Sequence, residues 1–175
     1  SLKAGDSGVI AVRETCFYAE GGGQAGDAGH MTIGTHGFAE VLDCTKQNDI
    51  YLHHVRITEG NVKPGDSCAL AVSESKRRQT ASNHSATHLM HAALRKLLGT
   101  HVTQAGSLVD GERLRFDYTH NKPLSSDEIE QVEELVNREI SLAVQVSATE
   151  MDQKKALEAG AMALGKVYTF GPTFR

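Results

Sequence analysis

At 175 residues the chain can bury a full core, as one domain or as two small ones. Hydrophobic residues make up 39% of it, with no Trp and no long apolar run, so it holds no stretch fit to span a membrane as a helix. A formal charge of −4 argues against nonspecific nucleic-acid binding through net charge, and leaves an RNA partner to a local patch or an attached domain.

The first residues, Ser1-Leu2-Lys3-Ala4-Gly5-Asp6, carry no secretory pattern and read like the middle of a longer protein. Residues 1–72 then read as short strands at 8–12, 39–43, 50–55 and 68–72, separated by turns such as Pro64-Gly65-Asp66. Regularly spaced short strands with Gly-rich turns predict a small antiparallel β-barrel or sandwich. Within this half, Phe17-Tyr18-Ala19-Glu20-Gly21-Gly22-Gly23-Gln24-Ala25-Gly26-Asp27 invites a phosphate-cradle reading, but no Lys-Ser/Thr follows and no helical pattern opens there. A tight loop that needs unusual dihedrals explains the glycines, with Glu20, Gln24 and Asp27 available to a neighbouring site. Cys16, Cys44 and Cys68 lie far apart in an odd, sparse set, as expected in a reducing, cytoplasmic setting. They read best as small hydrophobes.

Composition shifts toward helix formers near Ser73, so residues 73–175 read as a second, α+β domain. Its first helix is expected to start at Thr80 or Ser82, both plausible caps, and to run to Leu98 before Gly99. An Asp110-Gly111 turn between alternating segments predicts a hairpin with Leu114, Phe116 and Tyr118 on one face. Ser125 and Glu128 form a capping box ahead of a second helix with a buried stripe of Ile129, Val132, Val136 and Ile140. A strand at 144–146 and a third helix over 152–164, with Gly160 inside it, complete the expectation.

On the first helix, at about 100° per residue, His84, His88, His91 and Arg95 share a narrow stripe. Met90, Ala93, Leu94 and Leu97 fall on another face, the one suited to a core. Neutral imidazoles at i and i+4 reach one metal ion, so His84 and His88 are candidate ligands. The competing reading is a polar, solvated helix face. The protease version is excluded because Ser85, not Glu, follows His84.

The loop of residues 17–27 looks like the start of the alanyl-tRNA synthetase editing region, and Asn83-His84-Ser85-Ala86-Thr87-His88-Leu89-Met90-His91 resembles that family's metal-binding helix. Residues 99–109, with Leu114-Arg115-Phe116-Asp117, resemble its next hairpin, and Gly160-Ala161-Met162-Ala163-Leu164 a segment further on. Free-standing AlaX-type editing proteins and the threonyl-tRNA synthetase editing domain share the helix motif. The glycine-rich loop argues against the threonyl variant.

This resemblance implies an α+β fold, with the metal-binding helix packed on a sheet. It implies a deacylase that hydrolyses Ser-tRNA(Ala) and Gly-tRNA(Ala), working with the remainder of a synthetase on the tRNA(Ala) acceptor end. It also implies a zinc ion on His84 and His88, side-chain discrimination by Thr87, and substrate positioning by Gln104. Arg77, Arg78 and His101 are candidates to approach the acceptor stem. The family completes its metal site with a later Cys-Gly-Gly-Thr-His motif that this sequence lacks. Half a ligand set and impaired activity are therefore expected. The alternative is a noncatalytic tRNA-acceptor binding or structural module.

Overall fold

The computed structural model describes residues 1–145, 149, 151–160, 162–164 and 167–169. These form two compact units. The first comprises Ser1–Ser82 with Val109–Arg113, the second Asn83–Leu108 with Leu114–Arg175.

The first unit is built on a five-stranded antiparallel sheet of β2 (Ser7–Ala11), β5 (Ile50–Glu59), β4 (Gly37–Gln47), β3 (Gly29–Ile33) and β7 (Cys68–Val72), in that spatial order. Two short strands, β1 (Leu2–Lys3) and β6 (Asn61–Val62), pair beside it. The antiparallel character expected from sequence holds. Among the described residues no pairing joins β2 to β7, so the sheet is open in its hydrogen bonding.

The long β4–β5 hairpin turns at Asn48 and Asp49, both at positive φ (48° and 64°). That is the geometry a two-residue hairpin loop demands, and short polar side chains tolerate it. A register shift between Val41 and Asp43 switches the inward-facing positions of β4 from odd to even. Ala39 and Val41 point inward before it and Cys44 after it, which leaves Leu42 exposed. The core gathers Phe17, Met31, Ile33, Val41, Val55, Ile57 and Val62. Such side chains contribute roughly 1.5–3 kcal/mol each when fully buried. His53 is fully buried among them, its ring edge-on to Phe17 at 5.3 Å. Its nitrogens are satisfied by the Ile10 carbonyl (3.0 Å) and the Thr15 hydroxyl (2.8 Å).

The second unit holds most of α1 (Glu74–Leu98), β8 (Gln104–Val109) up to Leu108, its paired strand β9 (Leu114–Tyr118), and α2 (Ser126–Ser141). A short α3 (Gln153–Glu158) and the antiparallel pair β10 (Met162–Leu164) and β11 (Val167–Thr169) follow. The expected capping box is present, with Ser125 and Glu128 bonding each other's backbone amides. Ala93, Leu94, Val102, Phe116 and Val132 form the core of this unit.

Three expectations are corrected. Helix α1 starts at Glu74, so Thr80 and Ser82 lie inside it. Ser82 turns its hydroxyl back to the Arg78 carbonyl (3.0 Å) instead of capping. On α2 the packing face centres on Val132, Leu135 and Val136, whereas Ile129 and Ile140 are exposed. Helix α3 stops at Glu158 because Gly160, at φ 89°, occupies the left-handed position that ends a helix. Of the strand expected at 144–146, Val144 and Gln145 lie outside regular structure, and residue 146 is outside the described residues.

Candidate functional site

Helix α1 places His84 and His88 one turn apart, with ring centroids 5.0 Å from each other. His84 is exposed and His88 half-buried. Burial first, and then the neighbouring His84 and His91, hold the His88 pKa below its ordinary value. Its imidazole is therefore neutral at physiological pH, the form that ligates a metal.

The histidine stripe divides at this point. His91 is buried, its ring lies 5.1 Å from that of Phe116, and its Nε2 faces the Val102 carbonyl at 3.4 Å. A carbonyl only accepts, so Nε2 carries the proton and is committed there. Burial, followed by the nearby Arg95 charge, keeps this ring neutral against the raising effect of the carbonyl. Arg95 bonds the Thr100 and Val102 carbonyls at 2.7 and 2.8 Å. Sequence reasoning found both residues on the stripe, but it did not see that they serve the chain leaving the helix.

Thr87 is buried, and its hydroxyl donates to the Asn83 carbonyl at 2.9 Å. With that hydrogen committed, its oxygen has only acceptor capacity left. Gln104, the first residue of β8, is exposed, and its amide nitrogen donates to the Ser107 hydroxyl at 3.2 Å. His101, one of the residues considered for the acceptor stem, bonds His120 (Nε2 to Nδ1, 2.9 Å) with the rings stacked. Nothing in the sequence pattern marked His120.

In the first unit, Asp27 and Arg77 have a structural assignment. Asp27 is buried, accepts the Tyr18 amide at 2.7 Å and pairs with both Arg77 Nε and Arg77 Nη2. Arg77 Nη2 also donates to the Cys16 carbonyl at 2.7 Å. This knot fixes the glycine-rich loop. Gly26 is needed there because a Cβ would stand 2.2 Å from the Cys44 carbonyl oxygen. Glu20 is exposed, while Gln24 bridges to Gly21 and Val109. Arg78 lines an open groove of about 540 Å³ with Glu74, Ser75, Gln79 and Ser82.

His84 and His88 have the spacing and, at His88, the charge state of a ligand pair. Among the described residues no group of three or more His, Cys, Asp or Glu is assembled to hold a metal ion. A closed four-ligand zinc site does not fit these residues alone. All three cysteines are free thiols, and burial first, with Asp43 and Asp27 adding, raises the Cys44 pKa to about 11. A thiol so protonated is a poor metal ligand.

A family described as tRNA synthetases class II (A) matches residues 1–76. The chain is 55% identical over 163 residues to an alanine–tRNA ligase of Bdellovibrio bacteriovorus, covering 93% of this chain and 18% of that protein. It is 50% identical over 164 residues to the alanine–tRNA ligase of Methylococcus capsulatus, covering 93% of this chain and 19% of the relative. With the alanine–tRNA ligase of Leptothrix cholodnii it shares 50% identity over 177 residues, 100% of this chain and 20% of that protein. The chain thus spans about a fifth of the length of the curated relatives it matches.

Proposed function

The chain belongs to the alanine–tRNA ligase family, and on that premise we propose that it is the hydrolytic editing segment of such an enzyme. Its substrates are Ser-tRNA(Ala) and Gly-tRNA(Ala), met at the acceptor end in the cytoplasm alongside the remainder of the synthetase. The need is physical. A pocket sized for alanine cannot exclude the smaller glycine by sterics and rejects serine poorly, so a second, hydrolytic site is required. Water adds to the ester carbonyl, the bond to the terminal ribose oxygen breaks, and that oxygen takes up a proton.

The observation that carries this reading is the His84–His88 pair on α1 with Thr87 between them, the latter's oxygen left as an acceptor. An acceptor there recognises the hydroxyl of a seryl group and has nothing to bond on an alanyl methyl. Gln104 has both a donor and an acceptor with which to orient the ester. His84 and His88 would supply two ligands of a zinc ion, whose remaining ligands would come from outside the described residues. When bound, zinc supplies a Lewis acid.

The test is deacylation of Ser-tRNA(Ala) and Gly-tRNA(Ala), with Ala-tRNA(Ala) as control, beside zinc analysis of the purified chain. Cleavage of the first two alone is expected, and inertness toward all three with zinc supplied sinks the reading. His84→Ala is expected to cut bound zinc at least roughly tenfold, and an unchanged metal content removes His84 from the site. Thr87→Val is expected to lower the preference for seryl over alanyl ester by roughly tenfold while the fold persists. A second reading, a noncatalytic tRNA-acceptor module, is favoured by the lack of a third metal ligand among the described residues. It predicts tRNA binding without cleavage.

A further inference from the structure

Residues 99–103 connect α1 to β8, and each of their carbonyls is held. Gly99 O accepts the Val102 amide (3.2 Å), and Thr103 O accepts the Thr119 amide (3.0 Å). His101 O accepts the Thr119 hydroxyl (3.2 Å). The other two, Thr100 O and Val102 O, both accept from Arg95 Nη1, with His91 Nε2 as a longer second donor on Val102 O. A short connection with all its acceptors engaged has little freedom left. It ends directly at Gln104.

We propose that Arg95 is a positioning residue, fixing where Gln104 stands as β8 leaves the helix that carries Thr87, His84 and His88. This rests on the editing reading above. Basic residues in the last turn of a helix commonly just complement its dipole. Arg95 does something more specific, because its guanidinium nitrogen bonds the carbonyls of residues 100 and 102, beyond the helix end. His91 supports this clamp from within the core. The histidine stripe thereby has two parts: His84 and His88 face the ligand, and His91 with Arg95 holds the strand that brings Gln104.

The test uses this chain with Arg95→Gln, Arg95→Lys, Gln104→Ala and the Arg95→Gln/Gln104→Ala pair. Amide hydrogen exchange is expected to speed up at residues 100–104 in Arg95→Gln, with the β4–β5 hairpin unchanged as the folding control. On Ser-tRNA(Ala), Arg95→Gln is expected to lower kcat roughly tenfold with KM within about twofold, since misplacement costs rate more than binding. Arg95→Lys keeps a cation in reach and is expected to recover most of that loss. The double variant is expected to be no slower than Gln104→Ala alone. Unchanged exchange at 100–104 overturns the clamp, and losses that simply add overturn the link to Gln104. An inactive parent chain overturns the editing reading and the catalytic consequence with it. That outcome is distinguishable because exchange is read without substrate.

Discussion

Asp27 shows how much one residue can organise. Its carboxylate is buried, accepts a backbone amide, and meets a guanidinium through two nitrogens. Removing one partner of such a pair leaves the other imperfectly satisfied. Arg77 keeps about half its side chain in solvent, which moderates the cost. Asp27→Asn is therefore expected to lower unfolding stability by about 2 kcal/mol in urea titrations. A change within about 0.5 kcal/mol would mean that water replaces the lost contact. Sequence alone offers Asp27 to a neighbouring site, as a charge on a glycine-rich loop, and Arg77 to an acceptor stem, as a cation near the histidine helix. Their pairing spans fifty positions in the chain and has no local signal.

At the scale of elements, local chemistry was legible where it is local. The capping box of α2 was read from Ser125 and Glu128 alone, because both bonds lie within one turn. The backbone amide and hydroxyl of Ser125, with Lys122, hold the Glu128 carboxyl below its usual range. Ser125→Ala is expected to cost about 1 kcal/mol, read by thermal melts and by faster exchange in the first turn of α2. A loss confined to other elements would contradict the assignment. The start of α1 was not legible. Thr80 and Ser82 are good caps in isolation, but the helix already begins after Ser73, whose amide bonds the Ala28 carbonyl as β7 ends. The packing face of α2 is not legible either, for a similar reason. Any of several overlapping apolar stripes satisfies a 3.6-residue period, and contact with Phe116 and Val102 selects one.

For the whole molecule, nine histidines make acid stability the property most open to test. Burial holds His53 below the ordinary histidine value of 6.5, against the raising effect of the Ile10 carbonyl. His88 and His91 are shifted in the same direction. Below about pH 6.5 the unfolded chain takes up protons that the folded chain resists, so these groups favour unfolding as pH falls toward their folded values. Above 6.5 their contribution is fully present. The urea midpoint is expected to be lower at pH 5.5 than at 7.5, and His53→Gln, which preserves a donor and an acceptor, should narrow the gap. Equal midpoints would refute this. Among the described residues no helix is long and apolar enough to cross a membrane, in keeping with a composition that offers no such run.

The sequence by itself determined β2 and β7 to within a residue and the middle of β4 and the start of β5, together with the β8–β9 hairpin, the α2 cap, and the spacing of His84 and His88, but not β3 or the far ends of the long hairpin. These depend on neighbours within a turn or on alternation along one strand. Only tertiary structure decided that Asp27 belongs to a buried pair, that the bulge near Leu42 switches the inward-facing positions of β4 from odd to even, and that the histidine stripe divides. His84, His88, His91 and Arg95 are equivalent by periodicity. They differ because the Val102 carbonyl arrives beside the last two and the Phe116 ring beside His91, brought there by chain that follows the helix.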